Sequence, residues 1–147
     1  AALLALPGAT HANDRCTPGA SRVLVEGPQP LTSHLLEAIP VSAEVRFAPG
    51  SFDSEQVDYI GPVPVDRGDW RLLYIATIWG EACRATTRLL VFDVAGNYVG
   101  NYYGVDQPEK IVGDRVVFPT GEEIRFDGST PPATIFVDGE THSFDTD

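Results

Sequence analysis

The sequence predicts a mainly β protein, in which residues 13–147 form a single-domain antiparallel β-sandwich or barrel-like meander with one short helix. Three observations predict this fold. Short apolar segments separated by turn residues follow Trp70 and give about seven strands, at a spacing typical of sandwiches and barrels. Hydrophobic residues make up 43% of the chain, which is enough to bury a core. No repeat or linker divides the 147 residues, and that length suits one domain.

Residues 1–12 are interpreted as the remnant of a signal peptide. An apolar stretch, a helix-breaking pair and small residues up to Ala12 are typical of the later part of a secretory signal. We therefore expect a bacterial protein that is exported to the periplasm or secreted. Cys16 and Cys83 are the only cysteines, so in an exported protein they are expected to form one disulfide.

The first half of the chain predicts fewer and less regular elements. Arg22–Glu26 and residues 41–47 have the composition of strands. A helix is expected from about Thr32 to Ile39, with Pro40 ending it. Residues 48–61 are rich in turn formers and are predicted to be a loop.

A meander of strands is predicted from Trp70 onward. Residues 70–79 are apolar on both alternating faces, which indicates a central strand covered on both sides. Short turns join the strands that follow, and Asp138-Gly139 is the strongest turn signal in the chain. The remaining predicted strands lie at residues 83–93, 97–104, 110–112, 115–118, 122–126, 133–137 and 140–144.

An aromatic segment lies in the middle of this meander. Strict alternation would place Tyr98 and Tyr102 on one face of a strand, and Asn101 and Tyr103 on the other. Glycines beside the aromatics leave room for a ligand ring to stack, and Asn can satisfy sugar hydroxyls, so these tyrosines with Trp79 support a carbohydrate-binding hypothesis. A structural role is favoured, in which Tyr fills a sheet face and Gly permits a bend.

The charge of the chain is strongly negative. There are 21 acidic and 10 basic residues, and the formal net charge is -11. Such a surface repels phosphate backbones and anionic lipid, so nucleic acid is excluded as a partner, and no apolar run is long enough for membrane insertion. Ten acids and three bases lie beyond Tyr103, where the excess would attract a basic partner. Solubility and protection of edge strands alone could also place acids there.

No residue pattern predicts a catalytic or metal site. His11, His34 and His142 are the only histidines, and none accompanies an activated-serine motif. The many carboxylates could supply a hydrolase site, but acids this numerous make any particular pair unspecific. The acidic segment 53–58 lacks the spacing and the central glycine of a calcium loop. We therefore expect no cofactor and no metal.

The favoured hypothesis is a non-enzymatic exported domain that binds a protein with a basic surface, as an inhibitor or immunity protein would. A carbohydrate-binding module is the first alternative, and a hydrolase built from scattered carboxylates is the second. The candidate contact residues are Trp79, Tyr98, Asn101, Tyr102, Tyr103, Asp114, Glu122 and Glu123.

Overall fold

The protein is mainly β with one short helix, as the sequence predicts. The computed structural model describes residues 22–26, 29–40, 54–79, 84–126 and 130–146. Within these ranges the chain forms the helix α1 (Gln29–Glu37) and ten strands. The strands are β1 (Arg22–Glu26), β2 (Ser54–Val65), β3 (Gly68–Trp79), β4 (Arg84–Phe92), β5 (Tyr98–Tyr103), β6 (Lys110–Val112), β7 (Arg115–Val117), β8 (Glu123–Arg125), β9 (Thr134–Val137) and β10 (Glu140–Asp145).

Some predictions concern residues outside these ranges. The signal-peptide remnant at residues 1–12, the strand at residues 41–47 and the disulfide between Cys16 and Cys83 all lie outside the described residues, and so does the side chain of Trp79. Among the described residues, no helix combines the length and the apolar character that crossing a membrane requires.

The strands form two sheets. The larger sheet has the order β1-β2-β3-β4-β5-β10-β9, and the smaller has the order β6-β7-β8. The six strands that follow β1 in this order, β2-β3-β4-β5-β10-β9, are antiparallel and curl into a half-barrel. The strand β1 is parallel to β2, and α1 lies in the crossover that a parallel pair requires. The architecture is therefore the barrel-like form of the predicted fold, with a small second sheet.

Both faces of the larger sheet bury apolar side chains, which confirms that β3 is covered on both sides. The face that packs against the small sheet is termed the inner face, and the face that packs against α1 is termed the helix face. The inner face contributes Trp70, Leu72, Tyr74, Leu89, Val91 and Tyr102 to one core. The helix face contributes Val57, Leu73, Ile75, Leu90 and Phe92 to a second core.

The helix α1 begins at Gln29, before the predicted start at Thr32. Pro30 lies in the first turn, where its missing N–H costs no helical hydrogen bond, so the helix can extend through it. Leu35 and Ile39 are buried against the helix face, as an amphipathic helix requires. The helix therefore covers the part of the sheet formed by β2, β3 and β4.

The strand β2 corrects the prediction of a loop over residues 48–61, which is wrong from Ser54 onward. Pairing with β3 along the whole of β2 overrides the weak local preference of its polar residues for strand. The strand β1 pairs with β2 only from Ser54 to Asp58. Beyond Asp58, in the described part of the chain, no strand pairs with the outer side of β2. Pro62 and Pro64 lie in this open stretch, where a missing N–H is tolerated.

Candidate functional site

A bulge near the start of β5 decides which tyrosines share a face. The pairing of β4 with β5 shifts there, so that Val99 is an extra residue in β5. The prediction that Tyr98 and Tyr102 share a face is therefore wrong. The bulge turns Tyr98 to the helix face, together with Asn101 and Tyr103, whereas Tyr102 lies on the inner face.

Tyr102 belongs to the inner core. It has no exposed surface, its ring centroid lies 5.0 Å from that of Phe144, and its hydroxyl donates to the carbonyl of Pro132 at 2.7 Å. Burial raises the pKa of Tyr102, so its hydroxyl remains a donor. A Cβ on Gly100 would lie 2.6 Å from the Phe144 ring, so glycine allows β10 to approach β5. These two residues therefore have the structural role, and Tyr102 offers no surface to a ligand.

A chain of polar contacts connects the other aromatic residues of β5 on the helix face. The guanidinium of Arg88 lies over the Tyr103 ring, 4.8 Å from its centroid, and donates to Oδ1 of Asn101 at 3.2 Å. Nδ2 of the buried Asn101 donates to the Tyr98 hydroxyl at 2.9 Å. Tyr98 is half-buried, with its ring edge-on to Phe92. Tyr103, at the other end of the chain of contacts, is 56% exposed.

The hairpin of β9 and β10 carries a second exposed aromatic ring. Its turn is Asp138-Gly139, and both residues have positive φ, as a two-residue hairpin turn requires. This turn fixes the pairing of Phe136 with Thr141. Since Ile135 points into the inner core, Phe136 points away from it and is 57% exposed.

Tyr103 and Phe136 border one open surface. The strand β10 lies between β5 and β9, and a groove of about 500 Å³ runs along it, lined by Tyr103 and residues 141–146. Phe136 lies beside this groove because it pairs with Thr141. The surface formed by Tyr103, Phe136, Thr141, Ser143 and Asp145, all of them exposed, is termed the hairpin surface.

Apart from the Arg88 guanidinium over the Tyr103 ring, the charges described on and around the hairpin surface are negative. The sequence beyond Arg125 contains five acidic residues and no Lys or Arg. Three of these acids, Asp138, Glu140 and Asp145, are exposed on the hairpin. His142 is buried, and its Nδ1 lies 3.0 Å from the carbonyl at the end of β5, so Nδ1 must carry the hydrogen and donate.

Two of the acids predicted to contact a partner are paired within the small sheet. Glu123 lies 3.2 Å from Arg115, and Asp114 lies 3.6 Å from Arg125. Both pairs are close to half exposed, so each contributes little to stability. The two arginines do, however, offset the negative charge of this sheet.

Glu122, the third predicted acid, joins the small sheet to the hairpin. Its Oε1 accepts hydrogen bonds from the backbone N–H of Asp138 and from the hydroxyl of Thr120. These two bonds, the backbone bond first, lower the pKa of Glu122 because they favour the charged form. The carboxylate therefore fixes the position of the hairpin turn.

A second polar cluster holds the loop that follows β5. Asp58 is buried, and its Oδ2 accepts the side-chain N–H groups of Gln56 at 2.8 Å and Gln107 at 2.7 Å. The hydroxyl of Tyr74 donates to the carbonyl of Val105 at 2.9 Å, and burial raises the pKa of Tyr74, so it stays protonated. These bonds fix the end of β5, and with it the position of the exposed ring there.

Sequence reasoning identified Tyr103 but missed Phe136 and Arg88. The signal for Phe136 was present in the turn. Because Asp138-Gly139 fixes the register of the hairpin, it places Phe136 beside Thr141 and in a row of otherwise polar side chains. Arg88 carried no such signal, because its contact with the Tyr103 ring depends on the register of β4 against β5.

Comparisons of the chain with protein-family models, with curated proteins and with solved structures find no match. In the described part of the chain, no group of three or more His, Cys, Asp and Glu side chains is arranged to hold a metal ion. Function is therefore inferred from the geometry and charge of the hairpin surface.

Proposed function

We propose that the protein is a non-enzymatic binding domain whose hairpin surface docks on a protein with a basic surface. The supporting observation is that two exposed rings lie beside a hairpin whose own charges are negative. Tyr103 and Phe136 are each more than half exposed, and the acids of the hairpin lie around them. Rings at the centre of an interface supply apolar contact area, while charges at its rim guide association.

Tyr103 is suited to act as an anchor because its ring is already held in place. Arg88 lies against the ring and is itself bonded to the buried Asn101. A side chain held in this way loses little conformational freedom when a partner binds, which strengthens binding without a new contact. Tyrosine and arginine are also enriched among the residues that dominate binding energy at interfaces.

The acidic hairpin adds long-range attraction. With a net charge of -11 on the chain and no base beyond Arg125, the hairpin surface attracts proteins that carry clusters of Lys and Arg. This attraction raises the association rate and weakens as salt is added. Inhibition of a basic hydrolase, or protection from one, is a role of this kind. Export to the periplasm or beyond, which rests on residues 1–12, stays a prediction.

A carbohydrate-binding module is the second candidate. The observation that favours it is the position of Tyr103 at a groove that also contains the hydroxyl groups of Thr141 and Ser143 and the carboxylate of Asp145. An exposed ring can stack on a sugar, and these groups can bond its hydroxyls. Binding of a neutral sugar is insensitive to salt, so salt dependence separates the two candidates.

The test is binding to a panel of basic hydrolases, with lysozyme and pancreatic ribonuclease included, and to a glycan array in parallel. We expect at least one basic protein to bind, with an affinity that falls at least about tenfold between about 20 mM and about 300 mM salt. Tyr103→Ala and Phe136→Ser should each weaken binding about tenfold or more.

The matched control is Val112→Ser, because Val112 is 53% exposed but lies on the small sheet. This variant should bind as the unaltered protein does. The proposal is overturned if no basic protein binds, or if binding is unchanged when both rings are removed. Glycan binding that is lost in Tyr103→Ala and unaffected by salt would instead support the second candidate.

A further inference from the structure

We propose that the partner docks as an extended basic segment that pairs with β9 and adds a strand to the larger sheet. This inference rests on the proposed function and specifies how the partner is recognised. In this mode, backbone hydrogen bonds supply affinity, and side chains next to the edge supply specificity.

The strand β9 is an edge of the larger sheet, and no described strand pairs with its outer side. The N–H of Phe144 donates to the carbonyl of Ala133, so these residues form a hydrogen-bonded pair between β10 and the start of β9. Hydrogen-bonded and non-hydrogen-bonded pairs alternate along an antiparallel ladder. Thr134 and Phe136 therefore direct their N–H and C=O groups outward, and the edge offers two donors and two acceptors.

The side chains at this edge fit an extended basic segment. A strand added here would lie next to the exposed Phe136, whose ring is on the same side of the sheet as the groove. Asp138 and Glu140 lie at the turn end of the edge, where they would contact Arg or Lys side chains of the segment. The backbone N–H of Asp138 is already bonded to Glu122, so the pairing would end at the turn. The segment would therefore be short, about four residues.

Charge favours a basic partner over a second copy of this chain. Pairing of two β9 edges would join two chains that each carry a net charge of -11, with the exposed acids Asp138 and Glu140 at the turn end of each edge and no Lys or Arg beyond Arg125. Two such surfaces repel each other, and charged residues at an edge strand commonly prevent self-association. A segment rich in Arg or Lys meets the same acids with attraction instead.

The probe is a synthetic peptide in which three Arg alternate with three Val, a length of about six residues that covers the short pairing segment and is typical of a strand. Hydrogen exchange at the amides of Thr134 and Phe136, followed by NMR, should slow at least about tenfold when the peptide binds. The peptide with Glu in place of Arg should not bind. A dimer of the free protein whose exchange is already slow at these two amides would overturn the choice of partner.

Two variants at one position test the backbone pairing. Thr134→Pro removes an outward N–H without removing a bond to β10 and should weaken peptide binding about tenfold. Thr134→Ala keeps the N–H, loses only an exposed side chain, and should bind as the unaltered protein does. Equal thermal unfolding temperatures of the two variants would establish that the hairpin remains folded.

A measurement on the unaltered protein gives an independent test. The peptide is N-methylated either at its Arg residues or at its Val residues, and only one of the two isomers should lose binding, because alternate residues face the edge. Strand addition is overturned if the basic peptide does not bind, if both isomers bind equally, or if Thr134→Pro binds as Thr134→Ala does. The proposed function still stands in that case if Tyr103→Ala and Phe136→Ser weaken the binding of a basic protein.

Discussion

The helix face of the larger sheet has two regions that differ in what covers them. Over β2, β3 and β4, Leu35 of α1 packs on the sheet, and Leu90 and Phe92 have no exposed surface. Over β5, β10 and β9, no described element covers the same face, and Tyr103 and Phe136 are each more than half exposed. The same sheet thus provides a core in one region and an exposed surface, the proposed docking surface, in the other.

The boundary itself is polar. Arg88, Asn101 and Tyr98 form a hydrogen-bonded row between the covered region and the hairpin surface. Because both polar groups of the buried Asn101 amide have a partner, the row separates the two regions without leaving an unsatisfied group at their border. Three predictions test this comparison.

The largest effect is expected when a Phe of each region is truncated. Phe92→Ala should lower the free energy of unfolding by about 4 kcal/mol, because it creates a cavity in the covered region. Phe136→Ala should cost less than about 1 kcal/mol, because that ring is largely in water already. Urea denaturation of both variants measures the difference. Similar losses would mean that the hairpin surface belongs to a packed core.

An intermediate effect is expected from hydroxyl removal at two adjacent tyrosines. Tyr102→Phe should cost about 1 kcal/mol, since a buried hydrogen bond to Pro132 is lost. Tyr103→Phe should change stability by less than about 0.5 kcal/mol. Chemical denaturation under identical conditions compares the two. A larger loss at Tyr103 would contradict the register that the bulge gives to β5.

The smallest effect concerns pH and the attachment of the hairpin. The pKa of Glu122 is below its ordinary value of 4.5 in the folded chain, so its contribution to stability is present above that value and is lost as the pH falls through the lowered pKa. Glu122→Gln should therefore unfold at a lower temperature than the unaltered protein at neutral pH. The difference in unfolding temperature between the two proteins should narrow at about pH 3. A gap that is the same at both pH values would contradict this assignment.

The sequence predicted the strands that turns delimit. The turn residues Asp138-Gly139 predict the hairpin of β9 and β10. Residues 70–79 are apolar on both faces, which predicts a strand covered on both sides. The strand β2 could not be predicted, because its polar start and its prolines are tolerated only through pairing with β3 on one side. Local composition contains no information on which side of a strand is open.

The candidate site was only partly predictable, because the positions of its residues also depend on how strands pair. Tyr103 appeared among the candidates, but strict alternation placed Tyr98 with Tyr102, and one extra residue, Val99, reverses that pairing. A bulge depends on the partner strand and leaves no fixed signature in the sequence. The exposed position of Phe136 was predictable from the hairpin register. Its proximity to Tyr103 was not, because it depends on β10 lying between β5 and β9.

The position of β10 has a consequence for how the protein is made. The strand that completes the inner face beside β5 is the last one in the described chain, and the ring that packs on Tyr102 is Phe144. A ribosome therefore releases β5 before β10, and during that interval the edge of β5 and the ring of Tyr102 lack their cover. Closure of this part of the core depends on contacts distant in sequence, which form slowly. Chaperone binding to nascent chains should accordingly be strongest between the emergence of β5 and that of β10.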